Sequence, residues 1–298
     1  MKRCSLVGLL LVGLSGPLAA NEVGMELLVK MNDALHRMNY SGTLVHIKGE
    51  DVNTLKVIHT VEDGVEKEII ASLNESNNSV SKERQTFSLA NVPQSIESMT
   101  KVYSLDVGAV KQVADRSCQV VVARPKDKMR YLQKYCIDEQ TGLPLSYSLI
   151  SNKHKAVERF TFTDVEIQLP EHELMLATLG NVSPPQTLIP EGVPTGNWVL
   201  DELPQGFYFG QLPTSQRSEV EKGKHTEHFV LTDGLISVSV FISPSSTVQP
   251  EIASAINSGA LNVLTSQKNN HRITLVGEVP RATMQNIFAN LSYRGEPQ

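Results

Sequence analysis

The run EVGMELLVKMNDALHRM (22–38) repeats apolar residues at Leu27, Leu28, Met31, Leu35 and Met38. That spacing predicts one amphipathic helix with a single buried stripe. It should stop at NYSG, where Asn39 and Gly42 mark the end. TLVHI (43–47) and TLKVIHTV (54–61) then read as strands joined by a polar turn, KGEDVN, with Val45, Ile47, Leu55 and Val57 on one face of the hairpin. Asp63-Gly64 is a turn dipeptide that continues the meander. The polar stretch NESNNSVSKERQ (74–85) has no period and reads as a loop, and PQSIESMTKVYSL (93–105) holds a short helix. QVVVA, MRYLQKYCI, LPLSYSLI and VERFTFTDVEI are rich in β-branched and aromatic residues. The short connections RPKDK, DEQTG and SNKHK between them predict an antiparallel meander.

Beyond about residue 164 the texture changes. EHELMLATLG is a short helix candidate, and Pro184, Pro185, Pro190 and Pro194 deny the following stretch a place in a sheet interior. Residues 169–196 therefore read as a linker between a first domain, 21–168, and a second, 197–298. In the second, HFVLTDGLISVSVFI predicts a hairpin with a tight turn at Asp233-Gly234, pairing Leu231 with Ile236 and Phe229 with Val238. EIASAINSGALNVL looks helical, HRITLVGEV reads as a strand, and PRATMQNIFANL as a closing helix with Pro280 at its first position.

Composition alters this picture in three ways. The first twenty residues combine Lys2 and Arg3, an apolar stretch over 6–15 and the small-residue site Leu18-Ala19-Ala20, the layout of a secretory signal peptide. Cleavage after Ala20 would remove Cys4 and leave Cys118 and Cys136. Losing Lys2 and Arg3 takes the formal charge from −5 to −7. An acidic chain lacks the basic footprint that nucleic acid demands. Aromatics are only 5% of residues, so the core should be mostly aliphatic.

The search for chemistry comes back empty: no nucleophile elbow in the mature chain, no metalloprotease helix and no phosphate loop. His225 and His228 would fall on opposite faces of a strand. Glu171-His172-Glu173 reads as a solvated helix start. Cys118 and Cys136 flank a charged turn, and folding the segment about Asp127 sets them opposite one another. In an oxidising compartment such a pair is more often a disulfide than two buried thiols, and metal binding or nucleophilic chemistry ranks below both.

Several stretches resemble one family: YSGTLVHI, VIHTVEDGVEKEIIASLN, DRSCQVVVARPKDKMRYLQKYCIDEQTGLPLSYSLI, VERFTFTDVEI, LPQGF, HFVLTDGLISVSVFI and TLVGEVP. In order and spacing they are similar to the periplasmic sigma-E regulatory proteins of the RseB/MucB family. Members usually carry Tyr-Arg-His where this chain has Val57-Ile58-His59, and an additional strand pair where it has residues 74–90. The resemblance implies an α+β protein: an unclosed antiparallel β-barrel with helices, similar to the LolA/LolB lipoprotein carriers, followed by a smaller α+β domain. It implies a periplasmic negative regulator that binds the periplasmic part of a membrane-spanning anti-sigma factor, shields it from proteolysis, and is released by lipid or lipopolysaccharide. Neither catalysis nor a cofactor belongs to that picture, and a homo-oligomer is compatible with it. On this reading acyl chains lie against Val45, Ile47, Leu55, Val57, Phe160 and Phe162, and the protein partner meets Trp198, Phe207 and His228. The alternative is a periplasmic lipid or lipoprotein carrier, which has no need of residues 198–298.

Overall fold

The computed structural model describes residues 17–62, 65–73, 96–168, 197–210, 227–245 and 254–295. The apolar part of the expected signal peptide, the expected loop at 74–85, the expected 169–196 linker with its helix candidate, the expected turn at Asp63-Gly64, Glu171-His172-Glu173 and His225 lie outside the described residues.

Helix α1 (Pro17–Arg37) runs through the expected cleavage point and buries Met25, Leu28, Met31 and Ala34 along one stripe. Met38 continues that stripe just past its end. The helix ends where expected, but Gly42 lies inside the next strand instead of closing the helix. Strands β1 (Asn39–Lys48), β2 (Asp51–Glu62) and β3 (Val65–Ser72) form one meander. The short helix α2 (Ile96–Val102) leads into β4 (Tyr103–Val113), followed by β5 (Arg116–Pro125), β6 (Leu132–Asp138), β7 (Pro144–Ile150) and β8 (Ala156–Gln168). Their order is β3-β2-β1-β8-β7-β6-β5-β4, an unclosed eight-stranded antiparallel sheet with its first and last strands side by side in the middle. α1 packs across one face and touches β2, β4 and β5.

Strand β4 was hidden from pattern reading because, beyond Leu105, its side chains are mostly exposed and the apolar alternation is lost. It joins β5 through Ala114 and Asp115, both in the left-handed region, in a two-residue turn between the paired Val113 and Arg116.

The second sheet has the order β10-β11-β12-β15-β14-β13. Its strands are β10 (Tyr208–Gly210), β11 (Glu227–Thr232), β12 (Ser237–Pro244), β13 (Ser254–Ser258), β14 (Leu261–Lys268) and β15 (His271–Gly277). Helix α3 (Arg281–Ala289) packs on β14 and β15, with Pro280 as its N-cap, one position earlier than expected. Strands β9 (Trp198–Leu200) and β16 (Leu291–Tyr293) form a small separate ladder. The core here is aliphatic, from Leu231, Val238, Val240, Leu275 and Ile287, with Trp198 at its rim of aromatic contacts.

Three local expectations are corrected. The segment expected to be helical, 251–264, contains the β13–β14 hairpin: Ser258 pairs with Leu261 across Gly259-Ala260, and Gly259 has φ +63°. Its Ala, Ser and Asn residues carry little strand signal, while the left-handed turn decides the chain reversal. The β11–β12 register is shifted, with Leu231 opposite Val238 and Phe229 opposite Val240. The connection is a four-residue loop that Asp233 organises, its Oδ1 accepting from the amides of Leu235 (2.9 Å) and Ile236 (3.0 Å). The shift moves each partner by two residues, so the buried face is unchanged. The third correction concerns β1–β2. Lys48 pairs with Asp51 across Gly49-Glu50, which sets Leu44 opposite Leu55 and Val45 opposite Thr54. Val45 and Ile47 therefore lie on the face away from Leu55 and Val57.

Cys118 and Cys136 form a disulfide, with Cα atoms 5.2 Å apart. They bridge diagonally, because Cys118 pairs with Asp138 and Val120 with Cys136. The adjoining turn is held by Asp138, whose Oδ1 accepts from Thr141 N (2.7 Å) and Oγ1 (2.8 Å) while Oδ2 accepts from Arg116 Nε (2.7 Å). Burial alone would raise the Asp138 pKa, but these bonds hold it below the ordinary value.

Candidate functional site: a cavity at the junction of the two sheets

The inner face of the first sheet carries aromatic rings on five successive strands. Tyr135 on β6 stacks with Tyr147 on β7 (5.0 Å between centroids), and Tyr147 meets Phe160 on β8 at 5.7 Å. Phe160 meets Phe162, Phe162 meets Tyr40 on β1, and Tyr40 stacks on His59 of β2 at 4.9 Å. Gly42 makes this possible. A Cβ there would sit 2.9 Å from the Phe162 ring and 2.5 Å from the Asp164 carbonyl, so any side chain would push the ring off β1. A glycine inside a strand marks such a close approach, and this was the signal available in YSGTLVHI.

Between these rings and the second sheet lies a cavity of about 200 Å³. Leu44, Val57, Phe160 and Phe162 form its walls on one side. Leu235, Ile236, Leu261 and Val276 close it from the other. An engineered apolar cavity of about 150 Å³ suffices to hold a benzene, so this space suits a single chain or ring.

Two polar clusters flank the cavity. In the first, Arg130 is fully buried and donates to Asp233 Oδ2, Asp127 Oδ2 and the Gln205 carbonyl, with its guanidinium 4.7 Å from the Phe207 ring centre. Tyr103 adds its hydroxyl to Asp233 Oδ2 (2.9 Å), and burial raises its pKa well above the ordinary value. Nearby, Asn262 Nδ2 donates to Tyr131 Oη (3.2 Å), and Thr283 Oγ1 to the Met129 carbonyl (2.6 Å). Leu235 and Ala260, from the second sheet, are buried in the core of the first.

In the second cluster, Glu158 Oε1 pairs with His46 Nε2 (2.7 Å) and Oε2 accepts from Ala260 N (3.1 Å). Glu278 also lines the cavity. Burial pushes its pKa up to about 7, reinforced by Glu158 and opposed by Lys48 and His46. No hydrogen bond or ion pair to Glu278 is found among the described residues.

The expected lipid residues thus divide. Val57, Phe160 and Phe162 line the cavity, and Leu55 is buried on the same face. Val45 and Ile47 are on the outer face with the exposed Val52 and Ile58, so both faces of this hairpin are apolar and periodicity alone misassigns it. The expected partner residues do not form one surface. Trp198 is fully buried against Tyr293 and His271, and Phe207 lies under Arg130 at the junction. Only His228 is partly exposed, stacked on Phe241 at 4.1 Å, with burial lowering its pKa. Residues that pattern reading missed are Arg130, Asp233, Glu158 and Glu278, all charged positions inside or beside strand runs.

Models of two protein domains match the chain: the MucB/RseB N-terminal domain over residues 24–91 and 75–180, and the MucB/RseB C-terminal domain over 193–292. The Sigma-E factor regulatory protein RseB of Escherichia coli K12 is 26% identical over 92% of both chains. The Sigma factor AlgU regulatory protein MucB of Pseudomonas aeruginosa is 26% identical over 98% of both. The fold is similar to that of MucB in a solved Pseudomonas aeruginosa MucA/MucB complex, with TM-score 0.65 and 20% identity over 92% of this chain and 99% of that one. It is also similar to MucB solved with MucA(peri), with TM-score 0.63 and 21% identity over 91% and 99%.

Proposed function

Because the chain belongs to the MucB/RseB family, we propose that it is a periplasmic negative regulator of an envelope-stress response of the sigma-E type. It binds the periplasmic part of a membrane-spanning anti-sigma factor, shields that segment from proteolysis, and lets go when a lipid or lipopolysaccharide binds. The observation that carries this reading is the family match through both domains, together with a MucB structure solved as a complex with MucA. The cavity between the sheets supports the release step. An acyl chain against Val57, Phe160 and Phe162 gains about 0.8 kcal/mol per buried methylene. Its second wall belongs to the other domain, so a ligand there acts on how the domains meet. Such a ligand shifts the equilibrium only by its differential affinity for the partner-free arrangement. The outer face of β11 and β12 around His228 and Phe241 offers a surface for the partner. A lipid carrier using the same cavity is disfavoured, because Leu235 and Ala260 of the second domain are built into the first domain's core.

The test is capture of the periplasmic part of a single-span anti-sigma protein by the whole chain, with and without lysolipid or lipopolysaccharide. Binding that needs both domains and falls as amphiphile is added is the expected result. Full binding by residues 21–168 alone, indifferent to either amphiphile, would overturn the proposal.

A further inference from the structure

The tyrosine wall of the cavity ends in a polar group that the regulatory reading leaves unused. Tyr135 and Tyr147 line the cavity, and both hydroxyls donate to Gln133 Oε1, that of Tyr147 at 3.4 Å. Gln133 lies two residues before Tyr135 on β6 and so shares the inner face of the sheet. Its strand partners there are Ala123 and Leu149, both fully buried and apolar. Gln133 is itself fully buried, yet its Nε2 has no hydrogen-bonding partner among the described residues. What the cluster lacks is an acceptor. The amide and the two hydroxyls carry four polar hydrogens, and the two contacts among them use two. Turning the amide over only moves the spare hydrogens from its nitrogen to the hydroxyls. Interiors leave few buried donors in this state, because each forfeits its hydration without return.

A pair of spare donors at one wall of a largely apolar cavity fits a ligand with a hydrocarbon body and an acceptor oxygen. We infer that the junction cavity recognises the ester or amide carbonyl at the root of an acyl chain. The chain lies against Phe160, Phe162 and Val57, and its carbonyl oxygen accepts from the cluster of Gln133, Tyr135 and Tyr147. At about 200 Å³ the space is below the roughly 300–1,000 Å³ of sites that enclose larger ligands, so it takes one chain with its carbonyl and leaves the head group outside. Phosphorylated and neutral amphiphiles therefore qualify alike. A plain alkyl chain would fill the same apolar space but leave the donors unpaired, and selectivity arises there. This inference rests on reading the cavity as the amphiphile site, and adds the chemical group by which an acyl chain is recognised.

Calorimetry of the whole protein with octanoyl lysophosphatidylcholine and its octyl ether analogue, which lacks only the carbonyl, tests it below their micellar concentrations. The ester should bind about five- to tenfold more tightly, the worth of one hydrogen bond. Gln133→Glu keeps the shape and the acceptor for both hydroxyls but removes the two amide hydrogens. At pH 8 it should abolish or reverse the preference, since an entering carbonyl then finds no donor. Val57→Phe, which narrows the cavity, should weaken both ligands together. If the buried carboxylate unfolds the Gln133→Glu variant, the infrared band of a carbon-13-labelled ester carbonyl in the unaltered protein decides. Hydrogen bonding moves that band below its position in hydrocarbon solvent. Equal affinity for ester and ether, as when only a water completes the amide, would overturn the assignment. So would an unchanged preference in Gln133→Glu, undiminished binding by Val57→Phe, or an unshifted carbonyl band. Failure of both lysolipids to bind sinks the cavity reading as well, whereas capture of the anti-sigma segment, measured on the same samples, tests the regulatory reading by itself.

Discussion

The junction between the sheets holds two carboxylates, Asp233 fully buried and Glu278 half-buried at the cavity wall, and the fold treats them in opposite ways. Asp233 has every lone-pair direction engaged: its own loop amides on one oxygen, Arg130 and Tyr103 on the other. Glu278 has none engaged and neighbours a second carboxylate. A fully partnered buried charge holds one arrangement of the domains, because separating them strands Arg130 as well. An unpartnered one makes the same junction respond to pH. The difference separates the part of the junction that keeps the domains in register from the part that titrates.

The largest effect expected from breaking this contrast is at the partnered end. Asp233→Asn should cost about 3 kcal/mol, the low end of the range for breaking a buried pair, since Asp127 still holds Arg130. Urea unfolding gives the number, and a loss below about 1 kcal/mol would mean that Asp233 is not the lock. At the unpartnered end the sign reverses. The folded-state pKa of Glu278 is above its unfolded value, so the favourable contribution of its neutral form is fully present below about pH 4.5 and lost as pH rises through about 7. Glu278→Gln should therefore be more stable than the unaltered protein by roughly 1–3 kcal/mol at pH 8, and equal to it near pH 4.5. Thermal unfolding across that window checks it, and a destabilised variant at pH 8 would contradict the account. The smallest effect lies between the two ends. Tyr131→Phe removes one of the bonds made by Asn262 Nδ2, which also donates to the Ala260 and Val279 carbonyls. A loss of about 0.5–1 kcal/mol is expected from denaturant melts, and a loss as large as that of Asp233→Asn would erase the distinction.

Much of the sheet architecture was legible from periodicity. The strands β5 to β8, the stripe on α1 and the buried face of the β11–β12 hairpin all follow from apolar spacing. Registers did not, because period 2 reports a face while the number of residues in a turn fixes the pairing. Gly49-Glu50 shows this: a two-residue turn put Leu44, not Val45, on the side of Leu55. The four-residue loop at Asp233 hid for a related reason. Asp-Gly is a strong two-residue turn signal, but here the aspartate organises a longer loop and reaches Arg130, 103 residues away in sequence. Phe160 and Phe162 were identified as cavity residues because aromatic residues in a strand run advertise themselves. Glu158, in β8, and Glu278, just past the end of β15, were passed over because a lone carboxylate beside apolar positions is ordinarily a solvated one, and only the tertiary fold brings these two to the cavity wall.

The seam between β1 and β8 has a consequence for how the chain acquires its structure. On one side of it β1 to β3, and on the other β4 to β8, are successions of neighbours in sequence that can pair as soon as they exist. Among the described residues the seam is the strand pairing that joins the two successions, and its partners, such as Asn39 and Gln168, are separated by most of the domain. Closing so distant a contact late makes folding slow relative to the local hairpins that precede it. Until it closes, β1 and β8 both present unpaired edges, the condition in which chains associate with one another. The strands that hold Tyr40, Phe160 and Phe162 around the cavity are thus the ones whose pairing depends on the most distant contact, and the first domain's wall of the cavity is complete only once that contact is made.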